Sequence, residues 1–175
     1  MQMAKQLDKL SDEERLAVQR YTGFAAHRVN RALYSGKPQM IEKEREYMNL
    51  LDSALDKGVT EHKMIVHRDT IPGFLNVFPK EFEYADKNMR MLKEKILTNI
   101  GYTSTSFRDL QYGGRNVHLE IEVPKGYRGC LYIESLAAKK YKYQQEVLFK
   151  RGFQYIIKDI KKENGRYYMK AEAIL

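Results

Sequence analysis

A change of pattern near residue 63 constrains this 175-residue chain more than any other feature. Beyond Gly101 the sequence is a series of short strand-like runs: residues 102–107, 117–123, 130–133, 146–149, 153–160 and 167–174. Turn residues separate them, among them Gly113-Gly114, Pro124-Lys125-Gly126 and Asn164-Gly165. Asn-Gly between two strand-like runs is a strong hairpin signal, because both residues tolerate positive φ. Strands joined this tightly pair antiparallel, since a parallel crossover needs many more residues. Before residue 63 the apolar residues follow helical spacing instead. Ser11-Asp12-Glu13-Glu14 is a capping box that opens a helix over 11–21. Tyr21-Thr22-Gly23 interrupts it, and a second helix over 24–33 ends at Ser35-Gly36-Lys37-Pro38. A third helix spans 41–57, with Ile41, Met48, Leu51 and Leu55 on one face.

Residues 63–68 read as a first strand, Pro72, Gly73 and Pro79 mark a long loop, and 87–99 reads as a fourth helix. Helices first and strands afterwards imply an α+β fold with N-terminal helices packed on two antiparallel sheets. No repeat or linker divides the chain. A single domain over 1–175 is expected, with a helical part over about 11–57 and a mixed part over about 63–175.

Composition narrows the function. Hydrophobic residues make up 43% and charged residues 31%, and no apolar run reaches membrane-spanning length. Residues 1–12 lack the apolar core of a signal peptide. Cys130 is the one cysteine, so an internal disulfide is impossible. The four histidines, His27, His62, His67 and His118, are scattered, and the five-residue spacing of His62 and His67 suits neither a helix face nor a strand face. No metal is expected. The net charge of +8 favours acidic partners: a protein surface, a phosphate-bearing ligand or nucleic acid. The lysines are spread rather than clustered, and no nucleic-acid-binding motif accompanies them.

Three strand-associated signals carry chemistry. Arg68 ends the first strand and can hold a phosphate with its two-pronged guanidinium. Ser104-Thr105-Ser106 sets two hydroxyls on one strand face, where a serine can fix a carboxylate beside a ligand. Gln144 and Glu146, two apart, point to the same side of an extended backbone. Each signal alone reads more readily as an ordinary strand terminus, a hydroxyl-bearing strand or a solvated strand entry.

Taken in order, these signals resemble the bacterial mono-ADP-ribosyltransferase exoenzymes: an arginine on one strand, Ser-Thr-Ser on another, then Glu-x-Glu or Gln-x-Glu. The flanks extend the resemblance from about Asp12 to the C-terminus. Tyr21-Thr22-Gly23 with Asn30 and Leu33 is similar to the family's N-terminal helix pattern. Tyr112-Gly113-Gly114-Arg115 resembles its phosphate- and nicotinamide-contacting loop, and Val147 to Gly152 resembles the strand after its catalytic glutamate. The resemblance implies an ADP-ribosyltransferase-like fold and NAD+ as substrate. Glu146 would stabilise the ribosyl cation and hold the 2′-hydroxyl, Ser104 would orient Glu146, and Arg68 would hold phosphate or ribose. Tyr21, Asn30, Thr105, Ser106, Tyr112 and Arg115 would complete the NAD+ site. Gln144 and Tyr141 would engage the acceptor, because Gln-x-Glu resembles the clostridial exoenzymes that modify asparagine on Rho GTPases. A secreted or delivered toxin acting on a protein such as a small GTPase is the implied role.

The chain departs from the pattern at four places. Arg68-Asp69 stands for Arg-Gly, Leu33-Tyr34 for Leu-Arg, Lys150 for a proline or small residue, and Ser-Thr-Ser for the Ser-Thr-Gln of the Rho-modifying enzymes. Arg31 or Arg28 could replace the missing helix arginine. An NAD+ glycohydrolase and a non-catalytic interaction domain of the phage-head type stay open as alternatives.

Overall fold

The computed structural model describes residues 2–71 and 86–175; the loop expected around Pro72, Gly73 and Pro79 lies outside them. A 3₁₀-helix, Gln2–Lys9, precedes α1 (Asp12–Arg20). The capping box forms as expected: the Ser11 hydroxyl accepts from the Glu14 amide at 3.1 Å, and the Glu14 carboxylate accepts from the Ser11 amide at 2.9 Å. Glu14 is buried and also accepts from Ser53 at 2.7 Å and Lys57 at 2.6 Å, which ties α1 to the helix that carries Ser53. A π-helical turn, Tyr21–Ala25, with non-helical dihedrals at Gly23, joins α1 to α2 (Ala26–Ser35). Gly36 closes α2 in the left-handed region at φ 63°.

The expected helix over 41–57 is two helices. Proline starts α3 (Pro38–Lys43), its fixed φ suiting a first helical position, and Glu44 leaves helical geometry before α4 (Arg45–Asp56). Met48, Leu51, Ala54 and Leu55 of α4 pack with Val18, Val29, Leu131, Ile133 and Leu148.

The strands are β1 (Met64–Thr70), β2 (Ile96–Asn99), β3 (Thr103–Ser106), β4 (Val117–Val123), β5 (Cys130–Tyr132), β6 (Glu146–Phe149), β7 (Phe153–Glu163) and β8 (Arg166–Ala173), with α5 (Asp86–Arg90) between β1 and β2. The expected fourth helix stops at Arg90. A turn at Glu94, φ 64°, leads into β2, whose β-branched Ile96 and Thr98 pair with β7 and whose Leu97 is fully buried. Edge pairing here overrides helix propensity, as tertiary context routinely does.

The strand order is β2-β7-β8-β4-β1-β3-β6-β5. The two expected sheets are two halves of this series. They meet where β1 and β3 share a single register pair, His67 with Ser106. One pairing departs from the antiparallel rule: β4 and β8 run parallel, possible because β5, β6 and β7 intervene and supply the crossover. Asn164 and Gly165, at φ 50° and 75°, make the β7–β8 turn that the sequence announced. One core centres on β4, β7 and β8, with Phe149 and Phe153 stacked 4.2 Å apart; the other lies between the helices and the β3–β6–β5 half.

Candidate active site

The cleft opens where the sheet is weakest. Because β1 and β3 touch at one register position, the Ser104 carbonyl is free, and Arg68 donates to it at 2.8 Å. On β3 and β6, Ser106 faces Glu146 and Ser104 faces Leu148 across the ladder, so these four side chains share one face. Leu148 belongs to the core beneath the helices, which puts Glu146 and Ser104 on the helical side. A cavity of about 880 Å³ lies there, and Tyr21, Asn30, Arg68, Ser104, Tyr141, Gln144 and Glu146 are among its lining residues.

Glu146 is 7% exposed. Burial pushes its carboxyl above the ordinary carboxylate range, while hydrogen bonding with Ser104 and the charge of Arg68 act in the opposite direction. Its two nearest polar neighbours thus favour the ionised form.

The floor of the cleft is built by Asn30. Its amide donates to the Tyr21 hydroxyl at 3.1 Å and to the Tyr102 carbonyl at 3.3 Å, and its oxygen accepts from the Tyr102 amide at 2.9 Å. Gly101 is required by this contact, since a Cβ there would sit 2.5 Å from the Asn30 oxygen. Tyr102 in turn donates to Asp52 at 2.6 Å, and Arg151 holds the other Asp52 oxygen at 2.8 and 3.0 Å. Arg151, noted in the sequence beside β6, therefore anchors the floor from behind.

Gln144 and Glu146 both line the cavity, but not for the reason given by their spacing. Gln144 ends a 3₁₀-helix, Lys139–Gln144, and Gln145 turns the chain through the left-handed region at φ 44° before β6 starts. The backbone is therefore not extended across the pair. Ser106 holds this turn: its hydroxyl donates to the Gln144 carbonyl and accepts from the Arg108 amide at 2.9 Å.

The structure separates the other expected NAD+-site residues from the cavity lining. Thr105 points to the opposite sheet face and donates to the Val147 carbonyl at 2.8 Å. Ser106 is used in the turn just described. The Tyr112 amide donates to Asp69 at 2.5 Å, and Arg115 donates to the Asp69 carbonyl at 3.1 Å while lying over the Tyr112 ring at 5.0 Å. Asp69, whose side chain is fully buried, also pairs with Arg166 and His118, each at 2.6 Å. Aspartate stands where the family pattern has glycine, and here it organises this cluster.

His27, Arg31 and Tyr34 also line the cavity and were not singled out as a group. With Asn30 they fall at i, i+3, i+4 and i+7, one face of α2, so a polar stripe at helical spacing was the signal. Of the two arginines that could replace the missing one, Arg28 is occupied by Glu44 at 2.8 Å, whereas Arg31 faces the cavity.

Comparison with known proteins identifies relatives over most of the chain. The chain is 28% identical over 176 residues to a mono-ADP-ribosyltransferase C3 of a Clostridium botulinum C phage, covering 91% of this chain and 70% of the relative. It is 26% identical over 179 residues to the epidermal cell differentiation inhibitor of Staphylococcus aureus, covering 90% and 72%. The structure of C3stau2 from S. aureus with NAD superposes with a TM-score of 0.79 at 25% identity, covering 99% of this chain and 93% of that one. The model of the ADP-ribosyltransferase exoenzyme family matches residues 1–175, and the chain belongs to that family.

Proposed function

We propose that this NAD+-dependent mono-ADP-ribosyltransferase uses Glu146, Ser104 and Arg68 to cleave NAD+, and Gln144 with Tyr141 to choose the acceptor. One observation carries the assignment: a single cavity gathers Arg68, Ser104, Gln144 and a buried Glu146. Its size is that of a ligand pocket, and its lining pairs two cations, Arg68 and Arg31, with one buried carboxylate. A dinucleotide needs this combination, cations for its phosphates and an anion beside its ribose.

When the bond between ribose C1′ and the nicotinamide nitrogen breaks, the electron pair leaves with nicotinamide. The ribose is left as an oxocarbenium ion, as in glycoside cleavage. Glu146, ionised and shielded from water, stabilises that charge. Ser104 keeps the carboxylate oriented, Arg68 and Arg31 hold the pyrophosphate, and Tyr21 and Asn30 shape the wall against which the nucleotide packs. The acceptor nitrogen then bonds to C1′ and gives up its proton.

Gln144 sits at the cavity edge, half-buried, next to Tyr141 and the half-exposed Tyr143. A carboxamide offers both donors and acceptors and is neutral, so it suits another carboxamide better than a guanidinium. The acceptor is accordingly an asparagine or glutamine side chain on a protein of the small-GTPase kind, reached after secretion or delivery into a target cell. The test compares nicotinamide release with incorporation of labelled ADP-ribose into lysate proteins. Gln144→Ala is expected to retain nicotinamide release and lose incorporation. Loss of both, or of neither, refutes the acceptor role of Gln144, and nicotinamide release without incorporation by the wild-type chain favours water as the acceptor.

A further inference from the structure

Outside the cleft, the fold assembles a second cluster of functional groups. His67 on β1 and His118 on β4 approach each other, with Nδ1 of His67 3.3 Å from Nε2 of His118. Asp109, from the segment between β3 and β4, brings a carboxylate oxygen to 3.2 Å from the same Nε2. The three ligand-type atoms all lie within 4.8 Å of one another. We propose that His67 Nδ1, His118 Nε2 and the Asp109 carboxylate form a binding site for a divalent transition-metal ion of the zinc class.

Two features support it. The first is distance. Ligands about 2.0–2.1 Å from a tetrahedral zinc are roughly 3.3 Å from each other. The two contacts of 3.3 and 3.2 Å match that edge length. The second is the outer shell. Nδ1 of His118 lies 2.6 Å from the buried Asp69 carboxylate, which fixes the ring with Nε2 turned toward His67 and Asp109. A histidine ligand backed by a carboxylate in this way is the usual arrangement at zinc. Asp69 is itself fixed by Arg166 at 2.6 Å and the Tyr112 amide at 2.5 Å, so the shell is rigid. His67 binds as its Nε2–H tautomer, and the fourth position is left for water.

The ion would fasten the segment between β3 and β4 to the sheet. That segment touches the acceptor side of the cleft, because Arg108, next to Asp109, donates to the Tyr143 carbonyl at 3.0 Å. A metal here is therefore a clamp under the turn that presents Gln144, remote from the reacting bond.

The test uses Co²⁺ as the probe with the whole chain, stripped first with chelator. Wild-type protein is expected to bind one Co²⁺ per chain with the visible absorption of a four-coordinate site, and Zn²⁺ to displace it. Asp109→Asn, at a half-exposed position, and His67→Gln are each expected to weaken Co²⁺ binding more than about a hundredfold, beyond the effect typical of outer-shell changes. His62→Ala is expected to leave the spectrum unchanged. Zn²⁺ is expected to raise the melting temperature of wild type but not of Asp109→Asn, since binding to the folded state stabilises it. Melting of both variants in chelator, compared with wild type, establishes that they fold. Absence of the wild-type spectrum, or its persistence in either ligand variant, overturns the three-ligand assignment and leaves a hydrogen-bonded cluster only.

Discussion

Replacing Glu146 by glutamine removes one negative charge and almost no volume, so it isolates the electrostatic part of catalysis. The ribosyl cation forms against a carboxylate that is 7% exposed. Opposite charges about 4 Å apart interact by roughly 4 kcal/mol at the effective dielectric constant of about 20 suited to a protein site, but by only about 1 kcal/mol in bulk water. At about 1.36 kcal/mol per decade, the first figure is a rate loss of about 10³ and the second one of about fivefold. The cavity is lined by protein on the side where Glu146 lies, so the larger figure applies. The assay is the rate of nicotinamide release from NAD+ without acceptor, measured with equilibrium NAD+ binding and melting temperature on the same samples. Glu146→Gln is expected to lose about 10³ in rate with binding changed far less. A loss below about tenfold in a folded variant refutes the placement of the carboxylate at the developing charge.

The same substitution has a pH signature in stability. Burial raises the Glu146 pKa in the folded state, so the folded chain holds a proton that the unfolded chain has released, and stability falls as pH rises through that window from the ordinary value of 4.5. Glu146→Gln is therefore expected to melt above wild type at neutral pH and together with it below pH 4.5; a lower melting temperature at neutral pH contradicts the burial argument. Arg31→Ala is expected to weaken NAD+ binding about tenfold by calorimetry, as for loss of one charge-assisted phosphate contact, whereas Arg28→Ala, already paired with Glu44, changes it less than about twofold. Equal effects would mean that the helix cation has been misassigned. Gly58→Ala would place a Cβ 1.8 Å from the Cys130 carbonyl oxygen, a backbone atom that cannot step aside, and urea unfolding is expected to show a loss of about 2–3 kcal/mol.

Local signals were legible wherever the physics is local. The capping box at Ser11 and Glu14, the glycine end of α2 and the Asn164-Gly165 hairpin each depend on residues within a few positions of one another. The segment 87–99 was misread for the opposite reason. Its charges and spacing suit a helix, but β7 offers a ladder to Ile96–Asn99, and that offer is invisible from within the segment. The pair Gln144 and Glu146 was found by its spacing, yet the extended geometry assumed for it does not exist. A left-handed Gln145 and the Ser106 hydroxyl on the Gln144 carbonyl bring both residues to the cavity.

By itself the sequence determined the class of the fold, the succession of helices and strands apart from β2 and the break between α3 and α4, and the three short signals that mark the family. It could do so because periodicity, capping and turn chemistry are properties of neighbouring residues. Only the tertiary structure decided which of the named residues meet. It placed Arg68, Ser104 and Glu146 around one cleft and drew Arg31 into its wall. It turned Tyr112 and Arg115 toward Asp69, and brought His67, Asp109 and His118 together from three separate stretches of chain. The physical reason lies in the pairing of distant strands. The single β1–β3 register contact opens the cleft, and the full β1–β4 ladder sets the two histidines side by side. Neither pairing is encoded in any one segment; each results from burying both faces of the sheet at once.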